Sequence, residues 1–153
     1  MRQSLDNSIR ELRKVDHLIF VSLKYTRTAD MLKHIIKRLI NAFDFMIDAL
    51  LINLKKKNKI KEIPKTPGQK VNILKKKISK DDTILEFIQF YLNLRNIDRA
   101  DYTKSREYRR HVTMTVIING EKQDINIDKV YEFYDISKKY LDYIETLLNV
   151  KND

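Results

Sequence analysis

The segment SREYRRHVTM, residues 105–114, gathers Arg106, Tyr108, Arg109, Arg110 and His111. Arg106 and His111 make a chemically coherent pair. A guanidinium binds two phosphate oxygens at once and stabilises the charge that develops in phosphoryl transfer. An imidazole moves a proton near neutral pH, to or from a ribose hydroxyl or a leaving oxygen. RNA carries its own 2′-hydroxyl nucleophile, so cleavage by such a pair needs no bound metal. Tyr108 offers a ring on which a base can stack. One Arg and one His at this spacing also arise easily in a basic chain, where they serve structure or binding alone.

The other two histidines are less suggestive. His17 follows Asp16, but sequence neighbours on a helix point in different directions and do not pair by default. His34 lies among Lys33, Lys37 and Arg38, a poor setting for a metal. There is no HExxH motif, phosphate-binding glycine loop or dinucleotide fingerprint, so no cofactor or metal site is expected. Cys is absent, which excludes disulfides and thiolate ligands. Asp16 interrupts an apolar helical stripe and reads as an exposed position or as a charge with a basic partner. Arg27 and Asp30 sit between the first two helices, where an up-down bundle would bring them toward residues 105–111.

Charge is concentrated elsewhere. Eleven Lys and a single acid, Glu62, lie between Lys55 and Lys80, and the rest of the chain is balanced, so this segment accounts for the formal net charge of +10. Such asymmetry attracts polyanions. Lys55, Lys56, Lys57, Lys59, Lys61, Lys75, Lys76 and Lys77, with Tyr108, Arg109 and Arg110, are therefore the candidate nucleic-acid contacts. The alternative is a solvated, Lys-rich connection.

A chain of 153 residues with 42% hydrophobic and 34% charged residues, but only two Gly and two Pro, is expected to form one domain, 1–153, of long regular elements. Leu5, Ile9, Leu12, Ile19 and Leu23 predict a first helix over 4–24, with Val15 and Leu18 widening its buried face. Leu32, Ile36, Leu39, Phe43, Met46, Leu50 and Leu54 make the seam of a second helix over 29–57, which needs no cofactor to explain it. At about 1.5 Å per residue that helix spans about 40 Å and could exceed its own bundle, which favours a homodimer.

Thr66, Pro67 and Gln69 signal a short helix within the basic 55–80 connection. Thr83 and Glu86 signal a third principal helix that buries Ile84, Phe87, Ile88, Tyr91 and Leu94. After His111 the period becomes two, and Asn119-Gly120 predicts a β-hairpin over 112–127. Asp128 is the expected cap of a last helix running to about Leu148. The fold expected is mainly α: a four-helix bundle with a short extra helix and a β-hairpin inserted before the last helix. The hairpin's free edges need cover, a second pointer to self-association. The stretch 39–54 is broken by Asn41, Asp44, Asp48 and Asn53, and the start lacks a signal peptide's apolar run, so a cytoplasmic protein without a membrane span is expected.

The Arg106-x4-His111 spacing resembles the signature of the HEPN superfamily, small four-helix proteins that often dimerise and include metal-independent endoribonucleases. The resemblance implies that Arg106 and His111 form a composite site with their dimer mates. The whole sequence also looks like an archaeal family of small helical proteins, a likeness that implies no activity. Two functions are therefore expected. One is RNA binding, extending to metal-independent cleavage with Arg106 as phosphate clamp and His111 as acid/base. The other is a non-enzymatic helical module that acts as an oligomer or regulates a protein partner.

Overall fold

The computed structural model describes residues 1–149 and is mainly helical, with five helices and a small three-stranded antiparallel sheet. The first helix begins as α1, Arg2–His17, and runs through a π turn, Leu18–Ser22, into a last turn α2, Leu23–Tyr25. Leu5, Leu12, Val15, Ile19 and Leu23 are buried, as their spacing predicts. Asp16 is exposed and accepts a 2.9 Å hydrogen bond from the Tyr134 hydroxyl, so the stripe is not interrupted by an unpaired buried charge.

Thr28 caps α3, Ala29–Lys56, by accepting a 3.1 Å hydrogen bond from the Met31 amide. Every seam residue named above is buried. Phe43 sits among aromatic rings, stacked on Phe87 at 5.1 Å and Phe90 at 5.4 Å, with the edge of Tyr140 at 6.2 Å. The α3 seam is core, and the rings fill it.

Thr66 and Pro67 open α4, Pro67–Lys77, where the sequence places it. Two other caps each lie two residues before the expected one. Asp81 rather than Thr83 caps α5, Asp82–Arg99: one carboxylate oxygen accepts from the Ile84 amide at 3.0 Å and the other from the Tyr143 hydroxyl at 2.6 Å. Asn126 rather than Asp128 caps α6, Ile127–Leu147, through a 2.8 Å bond from the Lys129 amide. Asp128 lies in the first turn instead, where a negative charge complements the helix dipole.

Polar pins fix neighbouring helices. Ser8 donates to the Ala42 carbonyl at 2.9 Å and Arg38 meets Glu11 at 3.4 Å, so α1 runs antiparallel beside α3. Tyr91 ties α5 to α3 through Asp44 at 2.5 Å. Phe90 and Phe133 meet edge to face at 5.5 Å between α5 and α6. The buried apolar side chains form one continuous cluster. No helix among the described residues is long and apolar enough to cross a membrane.

The predicted hairpin is two strands of a larger sheet. β2, Thr113–Ile118, and β3, Glu121–Ile125, turn at Asn119 and Gly120, whose φ values of 52° and 81° suit a type I′ turn. An additional strand, β1, Tyr102–Ser105, pairs with β2 in the register Tyr102↔Val116 to Ser105↔Thr113. Val112, Met114 and Val116 are buried, and β2 packs on α3 and α5. Residues 106–112 therefore join two paired strands.

Candidate nucleic-acid interface

The β1–β2 loop is a pinned structure. Its main chain turns on itself, with the Arg109 amide on the Arg106 carbonyl at 3.2 Å and the Val112 amide on the Arg109 carbonyl at 3.0 Å. Two further bonds anchor it to the start of α3. The Tyr108 amide donates to the Arg27 carbonyl at 2.6 Å, and Glu107 accepts from the Ala29 amide at 3.0 Å. Glu107 thereby satisfies one of the amides that every helix N-terminus leaves without an intrahelical partner. Asp30 accepts from the Tyr102 hydroxyl and from Lys104, which lies at 3.3 Å. Those two donors hold the Asp30 carboxyl below its ordinary range, and Asp30 in turn raises the pKa of both Tyr102 and Lys104. Arg27 and Asp30 thus do meet the basic loop region, while Asp16 belongs to a separate contact with α6.

Arg106 and Tyr108 both adopt positive φ, 54° and 64°. For residues with a Cβ this left-handed conformation costs about 1–2 kcal/mol each. The conformation presents the side chains outward: Tyr108 is 77% exposed, and Arg106, Arg109, Arg110 and His111 are also exposed. None of these five side chains is held by a hydrogen bond or ion pair among the described residues. His111 and Arg110 line a small cleft of about 70 Å³ with Asn126, Ile127 and Asp128. The returning strands thus bring His111 to the beginning of the last helix despite the intervening residues.

The lysine candidates lie elsewhere. Lys55, Lys56, Lys57, Lys59, Lys61, Lys75, Lys76 and Lys77 are exposed and carry no ion pair among the described residues. Lys70 differs, pairing with Asp48 at 2.8 Å. Lys55 and Lys56 occupy the last turn of α3, and Lys75 to Lys77 that of α4, where positive charge complements the helix dipole. The loop is anchored at the first turn of α3, so the 28 residues of that helix separate the two basic regions by about 40 Å. The predicted contacts therefore form two surfaces rather than one.

No group of three or more His, Asp or Glu side chains is placed to hold a metal among the described residues. Two buried side-chain atoms there lack a hydrogen-bond partner, Arg27 Nε and Asp98 Oδ1, in the segments leading to α3 and to β1. His17 and His34, which sequence neighbours gave no reason to connect, line a common groove on α1 and α3. The available signal was the repeated four-residue spacing of Arg13 with His17 and of His34 with Arg38. No family model, curated protein or solved structure matches this chain.

Proposed function

We propose that this chain binds RNA through the β1–β2 loop. On this reading Arg106, Arg109 and Arg110 contact phosphates and Tyr108 stacks on a base. The observation that carries it is the loop's construction: two non-glycine residues stand in left-handed backbone, pinned to Arg27 and Ala29, with unpaired cations and an exposed ring displayed outward. Backbone strain held in place by tertiary contacts concentrates at functional sites. Phosphates contribute affinity through charge and unpaired bases through stacking. The lysines at the far end of α3 supply a second, sequence-independent attraction.

The catalytic form of this proposal is metal-independent cleavage, with Arg106 as clamp and His111 as acid/base, the spacing that resembles HEPN ribonucleases. The four long helices are read as a bundle that carries the sheet at one end. A second reading, a homodimeric or partner-binding module, is favoured by one observation. Phe20, Val21, Tyr25 and Tyr131 are exposed around the π turn, with Phe20 and Tyr131 edge to face at 5.4 Å.

Fluorescence anisotropy with single-stranded RNA tests binding. Tyr108→Ala and the pair Arg109→Ala/Arg110→Ala should each weaken it, and equal affinity in all three proteins contradicts the proposal. Cleavage is tested separately in chelator with wild type and His111→Ala: equal cleavage by both, or none by either, removes the catalytic form. Sedimentation of wild type and Phe20→Ser tests the homodimeric form of the second reading, which a concentration-independent monomer overturns.

A further inference from the structure

The groove between α1 and α3 brings together Arg13, Lys14, His17, Leu18, His34 and Arg38 around about 370 Å³ of open space. Each helix contributes a guanidinium and an imidazole four residues apart, hence on one face. The antiparallel register set by Ser8 with Ala42 and Glu11 with Arg38 puts His17 level with His34, and Arg13 level with Arg38. Glu11, only 8% exposed, lies 3.4 Å from both Lys14 Nζ and Arg38 Nη1. One carboxylate thus positions two cations, and Arg13 carries no ion pair among the described residues. Three permanent cations face one acid before either imidazole is counted.

The charged heads are donors, so the complementary ligand is an oxyanion. A guanidinium engages two oxygens of a tetrahedral anion side by side. The charge excess over Glu11 matches a doubly charged group better than a single carboxylate. Leu18 adds an apolar wall for an organic substituent. The same turn of α3 lies beside the sheet that carries the proposed RNA surface: Lys33, next to His34 in sequence, holds its ammonium 5.2 Å from the ring centre of Tyr102 on β1.

We infer that this groove binds a phosphate monoester, the terminal phosphate of an RNA strand or of a mononucleotide. Assignment to RNA rests on the RNA-binding proposal, whereas the groove's affinity for the phosphate group does not.

Two measurements test the inference. The first compares 5′-phosphorylated and 5′-hydroxyl RNA of one sequence, binding to wild type, Arg13→Ala and His34→Ala. The phosphorylated strand should bind wild type about tenfold more tightly, the equivalent of one charge-assisted hydrogen bond, and both variants should lose most of that preference. The second follows the imidazole NMR signals of all three histidines while a nucleoside 5′-monophosphate is added, with the nucleoside and sodium chloride at matched ionic strength as controls. His17 and His34 should shift with the monophosphate alone, and His111 should not follow them. Equal RNA affinities together with unmoved His17 and His34 signals overturn the groove and leave RNA binding intact. Shifts at His17 and His34 with no affinity for either RNA support the groove and overturn RNA binding. Equal shifts with chloride and monophosphate overturn the specific site.

Discussion

Tyr91, Tyr102, Tyr134 and Tyr143 each donate a hydroxyl hydrogen to an aspartate on another part of the fold: Asp44, Asp30, Asp16 and Asp81. Two of these pairs account for acids that interrupt apolar stretches of the sequence, Asp44 and Asp16. Asp44 is the clearest case, because burial raises its pKa even though the Tyr91 hydroxyl favours the ionised form. Tyr134 is pushed up from 10.0 to about 12, first by burial and then by its bond to Asp16. A raised folded-state pKa contributes stability that is present below the unfolded value and lost as pH rises through the folded value. Wild type should therefore lose stability relative to Tyr134→Phe between about pH 10 and about pH 12, a difference that urea midpoints at several pH values would reveal. Matching pH profiles for the two proteins would contradict this placement of Tyr134. Asp16 itself was legible as an anomaly, but its partner lies 118 residues away and no local pattern points to it.

The helices were readable wherever one face is continuously apolar, and α3 is the best example. Phe43→Ala should cost about 3–5 kcal/mol, measured as a lower denaturation midpoint with an unchanged slope, because rings stack around the truncated position. A loss below about 1 kcal/mol would contradict the aromatic core. β1 was not readable: Tyr102-Thr103-Lys104-Ser105 has no apolar alternation, and only Tyr102 is partly buried. Its place is set by pairing with β2 and by the Asp30 contacts, both tertiary. The caps of α5 and α6 were missed because adjacent acceptors compete there, Asp81 with Thr83 and Asn126 with Asp128. The loop's backbone makes a more direct prediction. Arg106→Gly relieves a left-handed residue but frees the unfolded chain, so its stability should stay within about 1 kcal/mol of wild type while RNA affinity falls. A large destabilisation would instead give Arg106 a structural role.

Taken whole, the molecule keeps its positive charge at separate places along α3. The 55–80 segment was plain in the sequence because a run of like charge needs no fold to be noticed. Its distance from Arg106 and His111 was not, since it depends on the loop docking at Arg27 and Ala29. The α1–α3 groove was hidden for a related reason: four-residue pairs on two helices become one site only through the antiparallel register. Each basic surface should make its own contribution to the salt dependence of binding. The most direct measurement is therefore RNA affinity across a salt series for wild type and for Arg106→Ala/Arg109→Ala/Arg110→Ala. If the three arginines contact phosphates, the triple variant should reduce the magnitude of the log–log slope by about 2, the value for three contacts on a single strand. An unchanged slope in that variant, or affinity that does not vary with salt in wild type, would contradict the loop as the RNA contact.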